Sequence, residues 1–205
     1  MLFDMDVPDV ILDIADTGAA IGVGNFLSGE VDVHCSYRAD WQSLYQQKGW
    51  IAEDPVVMMG LSQTGAMHWP ELNQNASPVM RAAADFGINK GIIISTEIAG
   101  SRCIAGLSTS SALSGIAKKQ AQHAVREMHL NQLTLKAEKL TARQREIVYF
   151  FASGHSSRNV AAIMGISNST INQYKKTITN NIGVRTWIAA INICARTGMT
   201  YHLTN

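Results

Sequence analysis

Residues 157–176 read SRNVAAIMGISNSTINQYKK. A first helix ends at Met164, Gly165 permits a tight turn, and Ser167 can cap a second helix through its hydroxyl. In that second helix Ile171, Tyr174, Ile178 and Ile182 recur at helical spacing and are expected to form a buried stripe. Asn172, Lys175, Lys176 and Thr179 then share the opposite face. Asn can pair bidentately with adenine, and Lys reaches guanine O6/N7 or a phosphate, so this face has the chemistry of a major-groove reader. Taken alone, the same residues also fit an ordinary solvated helix face.

Working outward, helices are expected over 141–153, 157–164, 168–182 and 186–197, separated by Gly154, Gly165, Ser167 and Gly183. From Lys139 onward there are eight Lys or Arg and one acid, Glu146, a net charge of +7, whereas the preceding residues carry −6. Such a split predicts two domains with different partners, the basic one facing a polyanion. The break falls at LNQLTLKAE, residues 130–138. The expected organisation is therefore a domain over 1–130, a linker over 131–138 and a helical domain over 139–205.

The chain has 205 residues, 46% of them hydrophobic and 16% charged, which suits a globule with a sizeable core and excludes disorder or a coiled-coil rod. No apolar run is long enough to span a membrane, and the acidic start, Met1-Leu2-Phe3-Asp4, does not read as a signal peptide. Cys35, Cys103 and Cys194 show no CxxC spacing and read as free thiols of a reducing cytoplasm.

Ahead of the break the pattern is mixed. Ser77-Pro78 supplies a cap followed by Pro at the first helical position, and Gly87 closes that helix. Residues 91–97 and 103–110 read as two strands of a hairpin about Ala99-Gly100-Ser101, followed by a long helix over 112–130. Helices on an antiparallel sheet make an α+β sandwich that can enclose a pocket. Tyr37, Trp41 and Tyr45 lie at i, i+4 and i+8, so on a helix they line one face; Asp54 and Trp69 follow. An aromatic core stripe explains that spacing. Two phenols, two indole N–H groups and a carboxylate also need polar partners when buried, and a ligand with carbonyls and an N–H would supply them. A phosphorylated receiver domain is the competing reading, and the pattern goes against it: Asp54 does not follow a buried apolar strand, no strand precedes Asp4, and Lys90 precedes its apolar run rather than ending one.

Leu140-Thr-Ala-Arg143-Gln-Arg-Glu146, Ala152-Ser-Gly154, Val160-Ala161, Ile166-Ser167, Thr170-Ile171 and Ile182-Gly183-Val184 closely resemble the C-terminal domain of LuxR-type transcription regulators. The resemblance implies a four-helix DNA-binding domain whose third helix enters the major groove. By position it places base contacts at Asn172 and Lys176, and backbone contacts at Thr170, Lys175 and Arg158. Gln144, Asn159 and Tyr174 stand where the family usually has an acid, an acid and a His. The pattern Tyr37-x3-Trp41-x3-Tyr45-x8-Asp54-Pro55, with Trp69, Phe86-Gly-Ile-x2-Gly91 and Gly106-Leu-Ser108, resembles the acyl-homoserine-lactone-binding domain of the quorum-sensing members. That resemblance implies an N-terminal α/β/α sandwich with an antiparallel sheet. In it Trp41 donates to the lactone carbonyl, Asp54 accepts the amide N–H, Tyr37 and Ser108 donate to the acyl carbonyl, and Tyr45 and Trp69 wall the head-group. The 36 residues before Tyr37 are fewer than the family's usual number, which bears on the acyl-chain wall.

The expected function is a cytoplasmic, homodimeric transcription regulator that needs no cofactor, answers to an N-acyl-homoserine lactone and binds a dyad-symmetric site in double-stranded DNA. RNA polymerase or a related receptor are further candidate partners. The contrasting expectation is a regulator that works without ligand, or one that dimerises with and antagonises related receptors. No nucleophile–base order, paired carboxylates or metal-ligand spacing stands out, and the six His, from His34 to His202, are dispersed, so an enzyme is not expected.

Overall fold

The apolar run Ile92-Ile93-Ile94 shows how the first part of the chain is layered. In a strand, successive side chains point to opposite faces. Ile92 and Ile94 accordingly join one core and Ile93 another, all three essentially inaccessible to solvent. A strand covered on both faces carries an unbroken apolar run, which is what the sequence has here. The computed structural model describes residues 5–26, 29–69 and 77–201. Asp4 and His202 lie outside them, as do 70–76.

The sheet has five strands, β1 (Gly18–Asn25), β2 (Glu30–Cys35), β3 (Gly65–His68), β4 (Gly91–Ile98) and β5 (Ser101–Ser108), in the order β2-β1-β5-β4-β3. β1 pairs antiparallel with β2, Ile21 opposite His34, and with β5, Ile21 opposite Ala105. The β4–β5 connection turns at Ala99 and Gly100, both with positive φ (55° and 84°), as a tight hairpin requires. The sequence reading did not assign β1 as a strand, because Gly18–Gly29 is rich in glycine and small residues, and it missed β2 although Val31 and Val33 alternate with polar residues. Pairing of β1 with β2 and β5 overrides its weak propensity.

One face of the sheet packs on α1 (Asp9–Ile14) and the first part of α5 (Gly115–Glu138), where Ile11, Ile21, Leu107, Val125 and Met128 are buried together. The other face is covered by α2 (Ala39–Lys48), α3 (Pro55–Ser62) and α4 (Pro78–Asp85). This is the α/β/α sandwich expected. The chain divides into two compact units: Met1–Glu97 with Arg102–His129, and Leu130–Asn205 with Ile98–Ser101. Residues 131–138, expected as a linker, are instead helical, the last third of α5. Leu133 and Ala137 explain why: both are fully buried in the core of the second unit, and burying them on one face favours a continuous helix.

The second unit adds α6 (Ala142–Ala152), α7 (Ser157–Met164), α8 (Asn168–Ile182) and α9 (Trp187–Ala195). Each starts at a hydroxyl side chain that accepts a backbone N–H: Thr141 from Gln144, Ser156 from Asn159, Ser167 from Thr170 and Thr186 from Ala189. Gln144 also returns its Oε1 to the Thr141 N–H at 2.9 Å, closing a capping box. The departure from the family's usual acid at 144 therefore preserves the cap. Gly165 and Gly183 end α7 and α8 in the left-handed conformation (φ 65° and 83°). Ile147, Val160, Ile171, Ile178 and Ile182 form the fully buried centre. Among the described residues no helix is long and apolar enough to cross a membrane. Cys103 and Cys194 are buried free thiols and Cys35 is half-buried.

Candidate functional site

The sheet face under α2–α4 is floored by small residues. Ala20 and Gly22 of β1 and Gly106 of β5 point at the space where larger side chains would fill the core, and a cavity of about 580 Å³ remains. That lies within the range of small-molecule pockets. A Cβ at Gly106 would come within 3.1 Å of Val56 and 3.6 Å of the Trp69 indole, so its hydrogen keeps both in place. Gly18 has a similar role. At φ 122° it adopts a conformation that side-chain-bearing residues avoid, and a Cβ there would collide with the Tyr37 ring.

Tyr37, Trp41, Tyr45, Asp54 and Trp69 all line this cavity. Tyr37 precedes α2, and Trp41 and Tyr45 occupy its inner face, their rings 5.8 Å apart edge to face. Trp50, which the sequence reading did not select, meets both rings, at 5.8 Å from Trp41 and 6.2 Å from Tyr45. Its signal was Gly49, which ends α2 at φ 64° and folds the following turn, Trp50–Ala52, back on the helix. Cys35 also lines the cavity and was read only as a free thiol.

Asp54 is placed by its own sequence. It caps α3 ahead of Pro55, the same cap-then-proline signature as Ser77-Pro78, and its Oδ1 accepts the Val56 N–H at 2.8 Å. Its Oδ2 accepts the Tyr45 phenol O–H at 2.9 Å. Burial pushes the carboxyl above its ordinary value, against these two hydrogen bonds, and pushes the phenols of Tyr37 and Tyr45 well above theirs, so both remain protonated donors.

Two donors in the wall have no acceptor among the described residues: the Tyr37 phenol and the Trp69 indole N–H. Their side chains are 9% and 3% exposed, so water does not satisfy them at the surface. Ser108 is fully buried and stands near Tyr37, but it does not line the cavity. Its hydroxyl donates to the Lys90 carbonyl at 3.1 Å and accepts from Thr17 at 2.7 Å.

In the second unit α8 exposes Asn172 and Lys176 together, with Gln173 and Asn180 on the same face. Gln173 offers the same bidentate amide as Asn172 and was missed because the reading stopped at charged and family-matched positions. Arg158 is exposed on α7, and Thr170 is half-buried against the Ser167 cap, 2.8 Å between hydroxyls. Two residues depart from the expected face. Thr179 is buried at 8% exposure, because it lies on the shoulder of the Ile171–Ile178–Ile182 stripe. Lys175 turns inward: its ammonium donates to the Ser157 hydroxyl at 2.9 Å and sits 4.0 Å over the Phe151 ring and 5.7 Å from that of Trp187. Burial lowers its pKa.

The autoinducer binding domain family matches residues 22–137, and the LuxR family of bacterial regulatory proteins matches residues 138–194. The regulatory protein SdiA of Escherichia coli is 27% identical over 189 residues, covering 85% of this chain and 78% of that protein. The transcriptional activator protein AhyR of Aeromonas hydrophila is 26% identical over 166 residues, covering 70% of this chain and 63% of that one. A crystal structure of Escherichia coli SdiA superposes with a TM-score of 0.55 at 24% identity, over 95% of this chain and 90% of that one, and so shares the fold.

Proposed function

The chain belongs to the LuxR-type family of autoinducer-binding transcription regulators, which are DNA-binding proteins and not enzymes. From that premise we propose that it binds an N-acyl-homoserine lactone in the α/β/α unit and, as a homodimer, a two-fold operator through α8.

The observation that carries this reading is the apolar cavity lined by Tyr37, Trp41, Asp54 and Trp69, where the Tyr37 phenol and the Trp69 indole N–H have no acceptor among the described residues. An unmade hydrogen bond at a buried donor costs roughly 1–3 kcal/mol, and a ligand carbonyl removes that cost. Tyr37 and Trp69 offer such donors, Trp41 brings its indole to the same wall for the lactone carbonyl, and Asp54 presents the acceptor for the amide. The acyl chain adds about 0.8 kcal/mol for each CH2 buried against Val31, Val33 and Val57. A ligand that binds only the folded sandwich stabilises it by mass action, and a stabilised sandwich supports the dimer.

On the DNA, Asn172 and Lys176 read base edges, joined by Gln173, while Arg158 and Thr170 meet the phosphates. Lys175, half-exposed and donating to the Ser157 hydroxyl beside Arg158, stands at the same phosphate-facing edge. The test has two arms. Material extracted from protein produced beside an acyl-homoserine lactone source should contain the lactone on mass analysis, and its addition should raise the melting temperature. In a gel-shift assay at fixed salt, Lys176→Ala should weaken operator binding about 5- to 150-fold, the loss of one good base contact. An empty extract with no thermal shift would leave a regulator that acts without ligand.

A further inference from the structure

The outward face of α8 has one kind of chemistry in excess. The buried stripe of the helix is Ile171, Ile178 and Ile182. At 3.6 residues per turn, Ser169, Gln173, Lys176 and Asn180 form the stripe most nearly opposite it. All four are exposed, as is Asn172 beside them. Ser169 is already engaged, its hydroxyl 2.6 Å from that of Ser167 at the helix cap. No hydrogen bond to another of the described residues occupies the carboxamides of Asn172 and Gln173. Residues 168–182 include no Asp, Glu or Arg. The helix therefore has no carboxylate to accept from cytosine N4 and no guanidinium to fork onto guanine, and Lys176 is its fully exposed cation.

Position separates Gln173 from the phosphate-facing edge. That edge is marked by Lys175, whose ammonium reaches the Ser157 hydroxyl at 2.9 Å next to Arg158. Gln173 precedes Lys175 by two residues and so lies nearly across the helix from it. It also stands in the N-terminal half of α8, the part of a recognition helix that reaches base edges. We propose that Gln173 is a specificity-determining residue for the operator: its amide carbonyl accepts from adenine N6 and its amide NH2 donates to adenine N7. Each half-site then carries a required A·T pair at a position separate from those met by Asn172 and Lys176. That role rests on the DNA-binding reading above and fixes what it leaves open, the identity of a base. A carboxamide suits adenine because it sets an acceptor beside a donor. Guanine offers two acceptors at the same edge, and one of them would face the carbonyl oxygen of Gln173.

The experiment selects duplexes from a random library with the full chain, with and without N-octanoyl-homoserine lactone, and repeats the selection with Gln173→Ala and Gln173→Arg. In the wild type each enriched half-site should hold A·T at one position where other pairs bind about 5- to 150-fold worse. Gln173→Ala should flatten that position alone, and Gln173→Arg should turn its preference to guanine. Replacing the adenine there with 7-deazaadenine removes the N7 acceptor. This should weaken wild-type binding about 2- to 12-fold per half-site and leave Gln173→Ala unaffected. Ala and Arg both favour a helix at an exposed site, so the variants should keep the wild-type melting temperature. A half-site with no required A·T pair, base preferences unchanged in Gln173→Ala, an adenine preference retained by Gln173→Arg, or a wild type indifferent to 7-deazaadenine would each overturn the proposal while leaving DNA binding by α8 intact. Enrichment of no sequence by the wild type would overturn both.

Discussion

The two units of this chain both bury polar groups, but they differ in what lies beside them. In the helical unit the helix starts are satisfied locally, by Thr141, Ser156, Ser167 and Thr186, each within three residues of the amide it receives. Even the cation Lys175 is answered, by Ser157 and the faces of Phe151 and Trp187. In the sandwich, Tyr37 and Trp69 have no acceptor among the described residues and stand beside a cavity of about 580 Å³, whereas the Trp187 indole N–H of the helical unit, likewise without one among them, packs against a closed core. The lesson is that space, rather than an unmade hydrogen bond alone, separates the unit that takes a small molecule from the one that does not. The helical unit closes its core and keeps its chemistry, Asn172, Gln173 and Lys176, on the outside.

That contrast can be broken most severely at Ile171. It is fully buried at the centre of the helical core, so Ile171→Ala should cost about 2–5 kcal/mol and abolish DNA binding, as thermal denaturation and gel shift would show. The sandwich's ligand response should survive it. The converse change is Ala20→Leu, which fills the cavity floor. It should remove the ligand-induced stabilisation, about 2.7 kcal/mol at a ligand concentration one hundred times Kd, while leaving the ligand-free melting temperature near wild type. A retained ligand shift would mean that the void is not the binding space.

Smaller effects sharpen the picture. Ser167→Ala removes the α8 cap and should cost about 1 kcal/mol by denaturant titration, with no effect on ligand binding. The smallest concerns acid. Burial holds Asp54 above the ordinary value of 3.8, so its contribution to stability is fully present below 3.8 and is lost as pH rises through the folded-state value. The melting temperature of the wild type relative to Asp54→Asn should therefore rise as pH is lowered through that window and level off below it. A difference that stays constant with pH would show that the carboxyl is not desolvated.

How much of this was legible depends on the distance over which each signal acts. The boundaries of α7 and α8 follow from Gly165, Ser167 and Gly183, whose effects are confined to one turn, and the structure places both helices where those residues put them. Ile92–Ile94 identify a strand because a strand buried on both faces has no polar alternation. β1 escaped notice because Ala20 and Gly22 are poor strand formers, chosen for the space they leave rather than for pairing, whereas in β2 the alternation of Val31 and Val33 with polar residues was a strand signal left unread. Asp54 was legible as a candidate acceptor, and its Asp-Pro signature as a cap, but its partner Tyr45 is nine residues away on another element. Thr179 was misplaced for a related reason. It lies, like Lys175, at the edge of the buried arc of α8, and which way an edge residue turns depends on its neighbours, such as Phe151 and Trp187 beside Lys175.

The amino-acid order by itself determined the two-part division, the sandwich and the helix-turn-helix, because charge segregation, periodicity and capping act through near neighbours or through sums over many residues. Tertiary structure alone decided which polar groups remain unpaired. A hydrogen bond between side chains is a matter of tenths of an ångström between distant elements, so the donors of Tyr37 and Trp69 that find no acceptor among the described residues, and the occupied acceptor of Asp54, exist only once the sheet and its covering helices have met.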